Sequence, residues 1–249
     1  MFRNHEESHA HSLETLNSFY KFDDFMESIG TVADLGCGNG LDLEWWATRT
    51  TRDDDHQPLN IHCTGIDINS SMTMQHAYKN VTFQCMDFEE NNISTSGKFD
   101  LLWSHDSFQY CINPIATLSK WWHATSPGGM LALVFPQTTN IEKRKFAFTQ
   151  NDGCYYHHSL VSIIHMLTVS GWDCTDGFFL KKPTDNWLHA IAYKSDHTPM
   201  NPKTTRWYDL VDKNLLPESA KNSVMRHGYL DQRDLVLPWL DRNLTWYGK

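Results

Sequence analysis

Residues 31 to 43 are Thr-Val-Ala-Asp-Leu-Gly-Cys-Gly-Asn-Gly-Leu-Asp-Leu, and this stretch decides the fold. Its first five residues are mostly apolar and partly β-branched, which predicts a short buried strand. Three glycines follow at alternate positions, after which Leu41, Trp45 and Trp46 begin a helical spacing. Alternate glycines let the backbone turn with positive φ and approach a ligand closely. A strand, a glycine loop and a helix form a nucleotide site at the carboxyl end of a parallel sheet.

The charges around the glycine loop indicate which kind of nucleotide it binds. The dinucleotide fingerprint Gly-x-Gly-x-x-Gly would need its last glycine at position 41, where this chain has Leu41. Asp42 and Glu44 suit the positive end of a helix, but they would repel a pyrophosphate placed there. Asp34 adds a carboxylate just before the loop. An acidic glycine loop therefore fits a cationic ligand without phosphate better than NAD or ATP.

The spacing Asp34-x-Gly36-x-Gly38-x-Gly40 closely resembles motif I of the class I S-adenosylmethionine (SAM)-dependent methyltransferases. In that family the loop cradles the methionyl end of SAM. The resemblance implies that the donor contacts Asp34, Gly36, Cys37, Gly38 and Gly40. The alternative is a strand, turn and helix that bind nothing, which the pattern further along the chain disfavours.

The second predicted strand, residues 61 to 68, ends in an acid at Asp67. A carboxylate at this strand tip can accept hydrogen bonds from both ribose hydroxyls. The following Asn69 begins a predicted helix that extends to about Asn80. The pattern Gly65-x-Asp67-x-Asn69-x-x-Met72 resembles the family's second motif, which implies that Ile68 and Met72 flank the adenine.

The third predicted strand, residues 81 to 88, also finishes with an acid, Asp87. By the same resemblance, the Asp87 carboxylate binds the exocyclic amine of the adenine. The backbone amide of Phe88 then reaches the adenine ring.

The fourth predicted strand, residues 98 to 104, leads into Ser-His-Asp-Ser-Phe-Gln-Tyr at positions 104 to 110. This exit resembles the equivalent stretch of methyltransferases acting on small amines and metabolites, including the glycine-betaine and phosphoethanolamine types. It lies beside the donor methyl group in the family fold, which implies a donor contact for Ser104. We expect substrate contacts from Gln109 and Tyr110, and from Tyr20 in a helix ahead of the first strand.

His105 and Asp106 are the candidate catalytic residues of this exit. An imidazole titrates near the working pH, so His105 can serve as a general base. Asp106 can hold an ammonium substrate or stabilise the sulfonium. Two alternatives stay open: His105 bonds a backbone carbonyl, or Asp106 caps a helix that begins at Ser107.

The remaining pattern completes an α/β fold. The resemblance implies a three-layer Rossmann-like sandwich with a seven-stranded, mostly parallel sheet and a C-terminal antiparallel hairpin. We predict a loose segment over residues 1 to 12, a helix from Ser12 to Gly30, and a fifth strand from Met130 after a Pro-Gly-Gly turn. A polar insertion at residues 137 to 152 is expected to help form the acceptor pocket.

The chain divides by composition into three predicted segments. These are a helical cap at residues 1 to 29, the methyltransferase domain at 30 to 195 and a helical, aromatic extension at 196 to 249. The extension has three open placements: against the helices of the sheet, over the acceptor site, or in a homodimer contact.

Composition narrows the class of protein further. The formal net charge of −9 disfavours broad contact with nucleic acid. Six cysteines without a C-x-x-C pair, no apolar run of membrane-spanning length and no signal-peptide pattern predict a soluble, cytoplasmic protein without membrane contact. His5, His9 and His11 lack the support of carboxylates or cysteines at useful spacing, so we expect no metal site.

The sequence thus predicts a methyltransferase that moves the methyl group of SAM to an N, O or C nucleophile of a small molecule, releasing S-adenosylhomocysteine. One alternative is a methyltransferase acting on tRNA, rRNA or a protein. No Asn-Pro-Pro-Tyr-like motif follows the fourth strand, which disfavours N-methylation of a base or of glutamine, and the net charge disfavours RNA. Another is a protein that binds SAM without transferring its methyl group.

Overall fold

The computed structural model describes residues 5–19, 26, 28–51, 55–69, 78–136, 156, 158–180 and 187–237. The strands β1 to β7 are Thr31–Leu35, His62–Asp67, Val81–Cys85, Phe99–His105, Thr125–Pro136, Trp172–Leu180 and Trp187–Lys194. The helices α1 to α6 are His5–Phe19, Leu41–Ala47, Pro114–Ala124, Leu160–Val169, Trp207–Asp212 and Glu218–His227. Short 3-10 turns cover Ile93–Ser96, Phe108–Tyr110 and Gln232–Asp234.

All seven strands form one sheet, in the order β3-β2-β1-β4-β5-β7-β6. The pairs from β3 through β5 are parallel, whereas β7 runs antiparallel to both β5 and β6. The chain leaves β1 towards β2 on one side and later returns through β4 on the other. This reversal opens a crevice at the carboxyl ends of β1 and β4, where α/β sheets bind their ligands. The predicted fold class is confirmed.

Two apolar cores lie on opposite faces of the sheet, because successive strand side chains alternate in direction. Along β4, Leu101 and Trp103 join one core, which contains Leu16 of α1 and Trp46 of α2. Leu102 belongs to the other core, which is shared with helices α3 to α6. His105 is two residues after Trp103, so it lies on the same face of the sheet as α1 and α2.

The first helix begins earlier than predicted. α1 starts at His5, so residues 5 to 11 are helical rather than loose. Ser12 resembles an N-cap in the sequence, but its hydroxyl donates to Asp42 Oδ2 of α2 at 2.5 Å. A polar residue that binds a distant partner was therefore mistaken for a helix boundary. Tyr20 and residues 21 to 25 lie outside the described residues.

The fifth strand also begins earlier than predicted. Thr125 pairs with Phe99 and Met130 pairs with Leu101. Residues 126 to 129 of β5 therefore form a bulge between these two pairs. Gly128 has φ +74° within this bulge. The Pro-Gly-Gly sequence thus makes a local protrusion inside a paired strand instead of preceding it.

The described part of the C-terminal extension packs against the helical layer. Leu210, Leu216 and Val224 are buried in the core that contains α4. The edge strand β6 donates from Cys174 N to Leu215 O at 3.0 Å. This hydrogen bond covers part of an otherwise exposed sheet edge. Residues 238 to 249, the helix predicted after Asn69 and the hairpin turn at 181 to 186 lie outside the described residues.

No helix in the described ranges combines the length and the apolar character that crossing a membrane requires. Within the same ranges, no group of three or more His, Cys, Asp and Glu side chains is arranged to hold a metal ion.

Candidate active site

The glycine loop between β1 and α2 turns sharply over the end of β2. The amides of Gly36 and Cys37 both donate to the Ile66 carbonyl, at 2.8 and 3.1 Å. Gly36 has φ +81°, and a Cβ built on it would lie 2.4 Å from Ser107 Cβ. Gly40 has φ +80° and precedes the first turn of α2. The loop therefore needs glycine both for its backbone conformation and for the close approach of the segment that follows β4.

Gly38 differs from Gly36, because its open side faces no protein atom. Its φ is +53°, and a Cβ added there would meet nothing within 4 Å. The Gly38 amide donates to Asp67 Oδ2 at 3.0 Å, and the Asn69 amide donates to Asp67 Oδ1 at 2.9 Å. A carboxylate oxygen accepts more than one hydrogen bond. The loop thus orients Asp67 and leaves it further capacity to accept.

Asp34 lies at the carboxyl end of β1 and is 3% exposed. Among the described residues its carboxylate makes no hydrogen bond. Burial, followed by the negative charges of Asp42 and Asp67, raises its pKa well above the ordinary value. A buried carboxylate without bonded donors is costly unless a cation compensates it. Asp34 is therefore suited to an ammonium or sulfonium ligand.

The two acids in the first turn of α2 have packing partners. Asp42 Oδ2 accepts from Trp103 Nε1 at 2.8 Å as well as from Ser12. Glu44 Oε1 accepts from Tyr78 Oη at 2.8 Å. Burial raises the pKa of Asp42, while its hydrogen bonds from Ser12 and Trp103 lower it. Asp42 thus joins α1, α2 and β4, a role that the sequence pattern did not reveal.

The tips of β2 and β3 present both apolar and acidic groups. Ile68 is 72% exposed, although it is a large apolar residue beside a buried strand. Asp87 Oδ1 accepts from the Glu89 amide at 2.7 Å, which shapes the turn after β3. The Phe88 ring is half-buried, and its centroid lies 5.6 Å from that of Trp121. Met72, the other predicted adenine contact, lies outside the described residues.

Ser104 is fully buried at the end of β4 and takes part in a chain of hydroxyl groups. Its Oγ lies 2.7 Å from Ser107 Oγ, which donates to the Leu35 carbonyl at 2.5 Å. This chain fastens the exit of β4 to the end of β1. Because Ser107 donates its hydrogen to Leu35, the Ser104 hydroxyl is the donor in its bond to Ser107.

Asp106 adopts a left-handed backbone conformation, with φ +55°. Non-glycine residues are rare in this region and occur disproportionately at functional sites. The Asp106 amide donates to the Val134 carbonyl at 2.8 Å. Gln109 Nε2 donates to both the Asp106 carbonyl, at 2.9 Å, and Asp106 Oδ1, at 2.8 Å. These bonds hold the carboxylate against the Gln109 side chain.

Gln109 is 2% exposed. Because Nε2 donates to two oxygen atoms, the orientation of the Gln109 amide is fixed. The other polar atom of this side chain is Oε1. No described residue donates to Gln109 Oε1. A buried acceptor without a partner matches a ligand that brings an N–H or O–H group. Tyr110, the neighbouring predicted contact, is 46% exposed.

His105 is 9% exposed and points under α1. Its Nε2 lies 3.1 Å from His11 Nδ1, and its ring lies 4.8 Å from the Trp187 ring. His189 of β7 approaches the same cluster, with its ring centroid 5.2 Å from that of His11. The sequence analysis missed Trp187 and His189 as neighbours of the site. A signal was available, since His189 interrupts the apolar run from Trp187 to Ala192.

Comparison with known proteins agrees with this geometry. Residues 33–133, from β1 into β5, match the family model described as a methyltransferase domain. No curated protein sequence is significantly similar to the chain. Among solved structures, human N-acetylserotonin methyltransferase in complex with SAM is 16% identical, with a TM-score of 0.56 over 76% of this chain and 53% of that one. The chain therefore spans about half the length of the human enzyme.

Two further structures show the same fold. Burkholderia thailandensis 1,6-didemethyltoxoflavin-N1-methyltransferase, with its namesake ligand and S-adenosylhomocysteine bound, is 13% identical over 73% of this chain and 78% of that one, with a TM-score of 0.51. A plantazolicin methyltransferase, in complex with a monoazolic desmethylPZN analog and SAH, is 19% identical over 74% and 82%, with a TM-score of 0.52.

The sheet order and the crevice define a class I methyltransferase fold. Residues 33–133 match a methyltransferase-domain family, and the solved structures that share this fold include SAM-dependent methyltransferases. The methyl donor of that family is SAM, and the residues present fit it. Asp34 offers a buried carboxyl group whose charged form a cationic ligand would favour, a Cβ on Gly38 would meet nothing within 4 Å, and exposed Ile68 offers an apolar surface.

Proposed function

We propose that this protein transfers the methyl group of SAM to a small-molecule acceptor. The observation that carries the proposal is the buried Asp34 carboxylate, which has no hydrogen-bond donor among the described residues and precedes the loop that contains Gly38. That arrangement suits the cationic methionyl end of SAM. The solved structures whose names include N-acetylserotonin and 1,6-didemethyltoxoflavin support a small acceptor by analogy.

Each part of the donor has a proposed partner. Asp34 and the loop from Gly36 to Gly40 hold the methionyl end. Asp67, oriented by the Gly38 and Asn69 amides, accepts hydrogen bonds from the ribose hydroxyls. Ile68 and Met72 flank the adenine, while Asp87 and the Phe88 amide bind its edge.

The proposed role of the chain in the reaction is alignment and proton acceptance. SAM supplies a methyl group already activated by its sulfonium, so the protein mainly aligns the acceptor and excludes water. Gln109 Oε1 accepts a hydrogen bond from the acceptor, and Tyr110 lines its approach; Tyr20 is a further proposed contact. His105 or Asp106 receives the proton that the acceptor releases. Each role is testable by substitution once the acceptor is identified.

The decisive experiment has two stages. Mass spectrometry of ligands that purify with the protein, together with calorimetric titration with SAM, tests donor binding. A pooled-metabolite screen for S-adenosylhomocysteine formation then tests transfer. SAM binding with turnover of a metabolite supports the proposal. SAM binding with turnover of tRNA, rRNA or a protein alone favours a macromolecular acceptor, and binding without any turnover indicates a protein that senses or carries SAM.

Partners and location are further proposals. The described extension exposes Tyr208, Met225, Tyr229 and Val236, which supports a homodimer contact there. Sedimentation velocity on the wild type and on Met225→Lys tests it, since a dimer through this surface would shift towards monomer in the variant. A cytoplasmic location and the exclusion of nucleic acid rest on the cysteine pattern and on the net charge of −9.

A further inference from the structure

The N-terminal helix brings a second imidazole to His105. His11 Nδ1 lies 3.1 Å from His105 Nε2, and His105 is almost fully buried beneath α1. A hydrogen bond between two imidazoles needs a hydrogen on one nitrogen and a lone pair on the other. If one ring gains a proton, the bond becomes charge-assisted and stronger. If both rings are fully protonated, the facing nitrogens repel. The pair therefore favours the uptake of one proton and opposes a second.

Trp187 covers the pair with its indole face. The Trp187 ring lies 4.3 Å from the His11 ring with 10° between the planes, and 4.8 Å from the His105 ring with 30° between them. The face of an indole attracts a cation. Stacking on Trp187 therefore favours the singly protonated pair and offsets part of the cost of burying its charge.

Strand register places the pair at the carboxyl edge of the sheet. His105 pairs with Val134 of β5, and Val134 pairs with His189 of β7. His189 Nε2 lies 3.3 Å from Thr15 Oγ1 of α1. Thus α1 lies across three neighbouring strands, directly beside the exit of β4.

The elements packed against the pair carry other titratable groups. They are His9 on α1, Asp42 on α2, Asp106 after β4 and His189 on β7, with His9 Nδ1 3.6 Å from Asp42 Oδ1. The two carboxylates in this set favour one positive charge in the region. The two histidines in this set disfavour a second positive charge.

We propose that His11 is a positioning residue for His105, and that the two imidazoles together hold the proton released on methyl transfer. This inference rests on the proposed function. The acceptor's electron pair forms the bond to the methyl carbon, while the electron pair of the carbon–sulfur bond stays on sulfur, which becomes a neutral thioether. The proton leaves the acceptor for His105, and the hydrogen bond to His11 stabilises the resulting cation.

The first test is an imidazole nitrogen NMR titration of the full chain, which needs neither donor nor acceptor. We expect the imidazole nitrogen signals of His11 and His105 to change together as the pH is varied, because the two rings share one hydrogen bond. His11→Asn keeps a hydrogen-bonding group near the Nδ1 position but cannot bind a proton. In that variant the His105 nitrogen signals should differ from those of the wild type. The same His105 titration in the wild type, His11→Asn and His11→Ala would overturn the proposal.

The second test follows turnover of the acceptor found in the screen, from about pH 6 to about pH 9, the range in which an imidazole changes charge. We expect His11→Ala to lower kcat about tenfold and to shift the pH profile, with KM for SAM unchanged, and His11→Asn to recover part of kcat. Asn17→Ala is the matched control, because it removes a 3.2 Å bond between α1 and Trp45 away from the pair.

The outcomes separate this inference from the proposed function. Equal losses of kcat in His11→Ala and Asn17→Ala, with the wild-type pH profile in both, would show that His11 only anchors the helix. Absence of SAM binding in the wild type would refute the proposed function, whereas the NMR titration would still report whether the two imidazoles act together.

Discussion

Ser107 donates its hydroxyl hydrogen to the carbonyl of Leu35 at 2.5 Å, which fixes the exit of β4 against the end of β1. The same contact places Ser107 Cβ only 2.4 Å from the position that a Cβ on residue 36 would occupy. The glycine loop after β1 and the segment after β4 thus pack directly against each other. A change on either side of this boundary is expected to disturb both.

Gly36→Ala should destabilise the protein by about 2–4 kcal/mol. The added methyl group would clash with Ser107, and alanine is strained at the positive φ of this position. Urea unfolding followed by tryptophan fluorescence measures the change.

Gly38→Ala is the matched control for that substitution. Its Cβ enters open space, so the cost in stability should be about 1–2 kcal/mol, from backbone strain alone. SAM affinity should nevertheless fall at least about tenfold, because the methyl group occupies the side of the loop proposed to face the donor. Equal losses of stability in the two variants would contradict this assignment of the two glycines.

Asp67→Ala should lower SAM affinity at least about tenfold, the scale of a lost charged hydrogen bond. The substitution also releases the Gly38 and Asn69 amides that the carboxylate now holds. Asp67→Asn keeps an acceptor oxygen and should fall between wild type and alanine. Calorimetric titration with SAM gives the affinities, and unchanged binding in Asp67→Ala would count against the donor site described above.

Asp34→Asn should stabilise the unliganded protein near neutral pH and weaken SAM binding. Burial raises the folded-state pKa of Asp34 above its ordinary value of 3.8, so the folded state holds a proton that the unfolded state has lost. Stability therefore falls as pH rises from 3.8 through the raised pKa. Asparagine does not ionise, so the variant avoids the cost of burying a charge. It should be more stable than the wild type above this pH range, and the difference should vanish below it. Thermal unfolding across this range of pH checks the sign, and a destabilised variant at neutral pH would disprove it.

Asp42→Ala should destabilise the protein by about 2–4 kcal/mol and loosen α1. The carboxylate holds Ser12 and Trp103 together, and its loss would leave the buried Trp103 Nε1 without its acceptor. Relative to the wild type, the rate of amide hydrogen exchange should increase more in α1 than in β4. Ser12→Ala, which leaves the bond to Trp103 intact, should have a smaller effect on both stability and exchange.

Local pattern was sufficient for most of the fold. The short apolar run at residues 31 to 35 and the positions of Gly36, Gly38 and Gly40 predicted the first strand and the loop, because apolar runs and glycine placement are local properties. Predicted boundaries were wrong at Ser12 and at Met130. In both places a long-range contact, with Asp42 or with Phe99, overrides the local signal.

The sequence by itself determined the strand–glycine loop–helix unit, the acids at the tips of β1, β2 and β3, and hence the class of ligand. The tertiary structure alone decided which acids remain open to that ligand and which are used in packing. Asp34 and Asp42 are both aspartates near the glycine loop in the sequence, yet Asp42 binds Ser12 and Trp103, while Asp34 is buried and accepts no hydrogen bond from the described residues. It also decided that His11 meets His105, since 94 residues separate them in the chain. Spacing in a sequence reports neighbours along one element, whereas partners across elements depend on how the helices settle on the sheet.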